Sequence, residues 1–293
     1  MSIFLTYIWN GLVLGMIYSL VAVGYSLIFS ILRMINFSHG AVYAFGAMSI
    51  FALSMLNINP WLAVLIGIML TGALNITINK FGIEPIRKKQ TDGMPTLMTT
   101  IGISYIIQHS LIAIFGSNRQ NFDCFYDFGM INIGSFQIDS SKLFLFLVCG
   151  ALLLVLTLII NKTHVGLAIK AVQQNPKSAA LMGINVNRII SIVFCMAGIC
   201  ACIAGALVGG YFGVAYPMMG IMMGNKTFAS ALLGGLGVLY GSVVGGVIVG
   251  IIEVLVAGYI GAPFRDAVSF IILIIILLFK PAGLFGKKGI SKV

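Results

Sequence analysis

From Ser140 to Gly250 the chain carries not one Asp or Glu, and over all 293 residues only 8% of the side chains are charged while 60% are hydrophobic. A soluble domain clothes its surface with about a quarter charged residues. This chain lacks the means to do so, and its mean hydropathy of +1.09 says the same. Lipid must therefore be its solvent. A helix crossing a bilayer uses roughly 20 apolar residues, so the length accommodates about eight or nine spans and leaves no room for a folded soluble domain. The expected fold is an all-α integral membrane protein, one transmembrane domain over residues 1–293, built as a polytopic bundle with some helices short or broken.

Apolar runs lie at about Ile3 to Ile31, Ala41 to Leu56, Trp61 to Ile78, Leu97 to Phe115, Leu143 to Ile160, Ile189 to Tyr211, Met218 to Val238, Ser242 to Tyr259 and Ala267 to Phe279. The N-terminus lacks the basic stretch of a signal peptide and its run continues past Phe29, so it is expected to stay as the first span. The net charge of +10 does not indicate nucleic acid, because the basic residues sit between apolar runs, where they set orientation. If every run crosses, Arg33, then Lys80, Arg87, Lys88 and Lys89, then Lys162, Lys170, Lys177 and Arg188, and finally Lys280, Lys287, Lys288 and Lys292 share one face. Asp123, Asp127, Asp139 and Asp266 fall on the other with Arg119, Lys142 and Arg265. The N-terminus is then outside and the C-terminus cytoplasmic. The two runs from Met218 to Tyr259 return to the same side whether they cross twice or form a re-entrant hairpin; short or interrupted helices are expected there.

The longest basic, acid-free loop, residues 162–188 (KTHVGLAIKAVQQNPKSAALMGINVNR), carries its own helix punctuation. Gly166 to Gln174 reads as a short helix that must end by Asn175, because a residue before proline is pushed out of the helical region. Asn175 can cap a second helix starting at Pro176, and Gly183 supplies a left-handed stop. Lys170, Ala171, Ser178, Ala179, Ala180, Leu181 and Met182 decorate these two pieces. Taken alone the loop is either a solvated connector whose lysines obey the orientation rule or a docking device for a groove on another protein.

Glycine is abundant, 35 in all, and it is patterned. Gly237, Gly241 and Gly245 recur every four residues, as do Gly246 and Gly250, Gly205 and Gly209, and Gly11 and Gly15. In lipid no hydrophobic drive brings helices together, so a stripe of small residues is what permits close backbone approach. NFSHGAVYAFGA at Asn36 to Ala47 and GNKTFASALLGG at Gly224 to Gly235 each set a polar break before a small-residue helix. By the charge argument their host spans run in opposite directions, the mark of a possible inverted repeat with broken helices.

The inventory argues against an enzyme. His39, His109 and His164 lie far apart without metal or triad spacing. Cys124, Cys149, Cys195, Cys200 and Cys202 show no metal pattern either, and neither a disulfide nor a metal nor a cofactor is expected. Gly224, Asn225, Lys226 and Thr227 lack the glycine spacing and preceding strand of a phosphate-binding loop. Polar groups within the spans are then the functional candidates, since each is expensive in hydrocarbon. Glu253 is the one carboxylate clearly inside a span, and Lys226 heads the preceding run; the two can form a structural pair or line a solute path. Asn36, Ser38 and His39 divide in the same way between capping the second span and lining or gating a path. Tyr18 and Tyr25, one heptad apart, favour the core.

Four blocks carry a resemblance: NGLVLGMIYSLVAVGYSLIFSILRMINFSHGAVYAFGA, GLAIKAVQQNPKSAALMGINVNRI, FASALLGGLGVLYGSVVGGVIVGIIE, and RDAVSF with KPAGLFG. Together they span nearly the whole chain and resemble the inner-membrane permeases of branched-chain amino-acid ABC importers of the LivH type. The resemblance implies a second, similar permease, two cytoplasmic ATP-binding subunits and an extracytoplasmic solute-binding protein as partners, with Gly166 to Asn185 as the coupling element that docks into an ATPase. Such permeases commonly have proline where this chain has Tyr240, which bears on the local turn. Related permeases move urea, short amides or other amino acids. An ion-coupled secondary transporter, which needs intramembrane carboxylates, is the rival from another class.

Overall fold

The computed structural model describes residues 2–89, 93–122, 129–133 and 136–286, so Cys124, Asp123, Asp127, Lys287, Lys288 and Lys292 lie outside the described residues. A segment in lipid has no water to satisfy its backbone and closes its hydrogen bonds internally. The apolar runs accordingly become helices: α1 (Ser2–Leu32), α2 (Ser38–Met55), α3 (Pro60–Thr77), which continues through a wide turn at Ile78–Ile83 into α4 (Glu84–Lys88), and α5 (Gly93–Phe115). Next come β1 (Gln120–Asn121), β2 (Met130–Ile133), β3 (Phe136–Asp139), α6 (Ser140–Lys162), α7 (His164–Gln174), α8 (Pro176–Leu181), α9 (Val186–Phe212) and β4 (Val214–Ala215). The chain closes with α10 (Met219–Gly234), α11 (Leu239–Tyr259) and α12 (Arg265–Phe279).

Among the described residues seven helical segments are long and apolar enough to cross a bilayer. The other two runs form α2 and α10, of 18 and 16 residues. They are the more polar, and most of the residues of each are buried among other helices. A helix wrapped in protein is freed from the length and apolarity that lipid imposes. Two small ladders, outside the all-α expectation, cap the bundle at the end where α1 begins: β1 pairs with β4, Gln120 opposite Ala215, and β2 with β3.

α1 is the axis of the bundle, buried along most of its length and packed by α9, α10 and α11. The glycine pattern explains how backbones approach so closely. A Cβ placed on Gly11 or Gly15 would lie 2.7 Å from the Cα of Ile251 or Val247, and one on Gly246 would lie 2.6 Å from the Cα of Ser19. Gly250 abuts Gly15 in the same seam, which Ser19 stitches by donating to the Val243 carbonyl at 2.7 Å. Gly241 and Gly245 face the other way, against Gly234 and Ser230 of α10, so α11 is sandwiched between two antiparallel neighbours. Gly237 does something different: with φ 85°, together with Gly235 at 107°, it makes the left-handed turn joining α10 to α11. Across the bundle, α3 and α9 are joined by Asn75 donating to the Phe194 carbonyl at 2.6 Å and Asn79 to Ser191 at 3.1 Å.

The seam yields a prediction. Gly246→Val forces α11 off α1 and should destabilise the protein by about 3 kcal/mol, the upper end for an overpacked core, whereas Gly102→Val, whose Cβ meets nothing within 4 Å, should change little. Thermal unfolding in detergent distinguishes the two.

Candidate functional site

Glu253 on α11 is wholly buried, and a carboxylate there must be paired and hydrogen-bonded. The chain supplies its partners from three other helices. Lys226 of α10 lies 2.8 Å from its Oε1, Arg265 at the start of α12 donates its Nε–H to the same oxygen, and the Tyr18 hydroxyl of α1 donates to Oε2 at 2.8 Å. Lys226 also meets Asp266 at 2.7 Å. Asp266 sits in the first turn of α12, where a negative charge favours the helix dipole. Two cations and two carboxylates thus form one chain of contacts from the bundle core to its surface. The turn after α11, with Gly261 at φ 145°, leads into α12 and lets Arg265 reach back to Glu253.

This network is the wall of a cavity of about 400 Å³, within the size range of small-molecule sites. Its polar lining is Tyr18, Tyr43, Arg119, Tyr216, Lys226, Arg265 and Asp266. The β1–β4 ladder sets the mouth: it pairs Gln120 with Ala215, which brings the preceding Arg119 against the following Tyr216, guanidinium carbon 5.3 Å from the ring centre. Arg265 similarly stands over Phe212 at 5.7 Å.

The structure therefore joins Lys226 and Glu253, as their spacing allowed, and adds Tyr18, Arg265 and Asp266 to them. Tyr18 is buried in the core, and from there its hydroxyl reaches Glu253. Arg265 and Asp266 had a signal in the sequence: a cation and an acid abutting the last apolar run, on the face that the orientation rule leaves poor in basic residues.

Asn36, Ser38 and His39 form a separate group. Asn36 accepts from the Ser38 amide at 3.1 Å and the Ser38 hydroxyl at 2.6 Å, so it caps the entry to α2. That entry is deep: His39 is buried beside Gly24, with its ring 4.6 Å edge-on to Tyr25. None of the three lines the charged cavity; a smaller cavity of about 180 Å³ lies near them, between α2, α5 and α10, lined by Tyr25, Phe37, Gln108 and Asn225.

The loop at the opposite end of the bundle folds as its punctuation dictates. Asn175 (φ −154°) breaks the helix and accepts from the Lys177 and Ser178 amides at 3.0 and 3.1 Å, Pro176 opens α8, and Gly183 takes the left-handed conformation at φ 83°. Gly166 passes so close to the Ile160 carbonyl that no side chain fits. Ile169, Val172 and Ala179 turn into the protein, while Ala180 is exposed and Leu181 and Met182 project at 89% and 83% exposure. Lys170 donates to Asn161 Oδ1 at 2.8 Å, and Asn161 donates to the Tyr240 hydroxyl at 2.9 Å. Tyr240 thus ties the first turn of α11 to α6 and, through Asn161, to α7.

Membrane-length helices in one bundle, with a charge-lined cavity at one end and a helical loop with an apolar tip at the other, make this a polytopic membrane protein. The chain belongs to the family described as branched-chain amino acid transport system, permease component, whose profile matches residues 7–277. It is 34% identical over 304 aligned residues to the high-affinity branched-chain amino acid transport system permease protein LivH of Salmonella typhimurium, covering 99% of this chain and 98% of the relative. LivH of Escherichia coli K12 aligns with the same identity and coverage. BraD of Pseudomonas aeruginosa, also a high-affinity branched-chain amino acid permease protein, is 32% identical over 297 residues, 97% of this chain and 96% of that one. Among solved structures, PsaBC from Streptococcus pneumoniae in complex with Fab shares the fold with a TM-score of 0.50 at 12% identity, over 94% of this chain and 92% of that one.

Proposed function

We propose that this chain is the permease subunit through which an ABC importer of the cytoplasmic membrane moves branched-chain amino acids, leucine, isoleucine and valine, into the cell. The observation that carries the reading is end-to-end similarity to permeases named for that transport, at 34% identity over 99% of the chain. The end of the bundle bearing Arg33 and the 162–188 loop is taken as cytoplasmic, with the N-terminus outside, on the distribution of basic residues.

Two cytoplasmic ATP-binding subunits supply the energy, since the chain has no nucleotide motif of its own. The α7–α8 elbow is their docking site. Leu181 and Met182, exposed beside the helix that Asn175 caps, have the chemistry of a knob for an apolar groove. A second, similar permease completes the membrane unit. α5 favours this: Tyr105 and His109 stack with ring centres 6.0 Å apart on an exposed face of a membrane helix, where a polar pair suits protein or water rather than lipid. An extracytoplasmic binding protein delivers solute to the cavity side. Closure of the ATPases moves the elbow, and the Lys170–Asn161–Tyr240 chain passes that motion to α11.

The test is uptake of radiolabelled leucine by proteoliposomes holding the whole assembly. Uptake should need internal ATP and the binding protein and should survive collapse of ion gradients. Uptake driven by an ion gradient without ATP would favour an ion-coupled transporter, with Glu253 as the ion-binding group. Competition by urea or short amides, with no competition from isoleucine or valine, would move the solute class.

A further inference from the structure

The charged cavity has more binding capacity than its own salt bridges consume. Among the described residues Arg119 has no carboxylate partner and is held only by the face of Tyr216. Tyr43 also lines the cavity; its side chain is wholly buried, and among the described residues its hydroxyl has no hydrogen-bond partner. A buried hydroxyl left without a partner carries a desolvation penalty that a ligand oxygen would relieve. Asp266 gives Oδ1 to Lys226 while about two-fifths of its side chain remains exposed, so a second cation can approach it. Between these polar groups the wall is flexible and apolar: Val208, Phe212, Met219, Met222 and Met223. Methionine-rich walls adapt to aliphatic groups of different branching.

We infer that this cavity is a transient seat for an α-amino acid in its zwitterionic form. The α-carboxylate is taken by the Arg119 guanidinium and the Tyr43 hydroxyl, the α-ammonium by Asp266, and an aliphatic side chain by the methionine wall. Guanidinium suits a carboxylate because its planar fork can meet both oxygens. Glu253, behind the wall, and Asp266 together balance Lys226 and Arg265, so that among the described lining residues Arg119 is left as the cation open to a carboxylate. The seat rests on the transport reading above and adds to it that the permease, and not the binding protein alone, recognises the amino-acid backbone.

The whole assembly is first shown to take up leucine with ATP. A failure at that step removes the transport reading itself, whatever the cavity does. Equilibrium binding of labelled leucine is then measured on the same purified assembly in detergent without the binding protein. Leucine should bind and be displaced by isoleucine and valine. Isoamylamine, which lacks the carboxylate, and 4-methylvalerate, which lacks the ammonium, should compete at least about tenfold less well, a loss of about 1.4 kcal/mol. Arg119→Gln and Tyr43→Phe should each weaken binding by about tenfold or more, and Arg119→Lys by less. Tyr43→Phe keeps the shape of the buried ring, so it decides the matter if the arginine variant folds poorly. A transporting assembly that binds no leucine overturns the inference, as do equal competition by the two half-molecules and unchanged binding in Tyr43→Phe.

Discussion

Glu253→Gln is expected to destabilise the protein by about 3–5 kcal/mol, because it removes the carboxylate that Lys226, Arg265 and Tyr18 share and leaves the buried Lys226 and the half-buried Arg265 short of a partner. Asp266 alone, on the exposed side, cannot neutralise both. The double variant Glu253→Gln with Lys226→Met should recover most of the loss, since Arg265 and Asp266 then remain as one cation and one acid. Thermal unfolding of the four members of this cycle measures the coupling directly. If Glu253 instead served as an ion-binding group, the single variant would fold normally and lose ion dependence of uptake, a pattern opposite to the one expected.

The second large effect lies at the other end of the molecule. Leu181→Asp combined with Met182→Asp should abolish leucine uptake while leaving the unfolding free energy within about 0.5 kcal/mol of the parent, as for surface changes that break no internal contact. Each side chain is almost fully exposed, so its value is realised only against a partner. Interface anchors of this kind are worth about 2 kcal/mol or more apiece, hence more than tenfold in affinity for the ATPase. Basal ATP hydrolysis should persist but lose its dependence on the loaded binding protein. Ala179→Arg is a poor substitute as a test, because Ala179 is buried and the change would disrupt the elbow before it disturbed docking.

Ala179 marks where the sequence stops being legible. Local rules were enough to place Asn175 as a cap, Pro176 as the first residue of α8 and Gly183 as its stop, since each depends only on the backbone near it. Which of Ala179, Ala180, Leu181 and Met182 faces outward depends on how the elbow packs on α9, and nothing in a run of small and apolar residues records that. The spans show the same division. Apolar length announced α1, α3, α5, α6, α9, α11 and α12, but the deep start of α2 beside Gly24 and the enclosure of the 16-residue α10 arise from tertiary packing. The glycine stripe on α11 was visible as a period of four. That Gly246 and Gly250 meet α1 while Gly241 and Gly245 meet α10 became visible only with the helices assembled.

At the charge network the sequence offered Glu253 and Lys226 because a charge within an apolar run stands out. Arg265 and Asp266 sit at the edge of a run, where charges are ordinary, and only the turn at Gly261 makes them part of the same site. Arg119 is farther removed still, and it reaches the cavity through the short pairing of β1 with β4.

A permease that works as one subunit of an ATP-driven importer must travel with its partners. The most direct measurement is gentle detergent extraction, affinity purification of the chain and identification of what accompanies it, with the mass of the intact assembly. A second permease of similar size and two copies of ATP-binding subunits should come with it in fixed proportion. A chain that purifies alone and still transports leucine after reconstitution would contradict it.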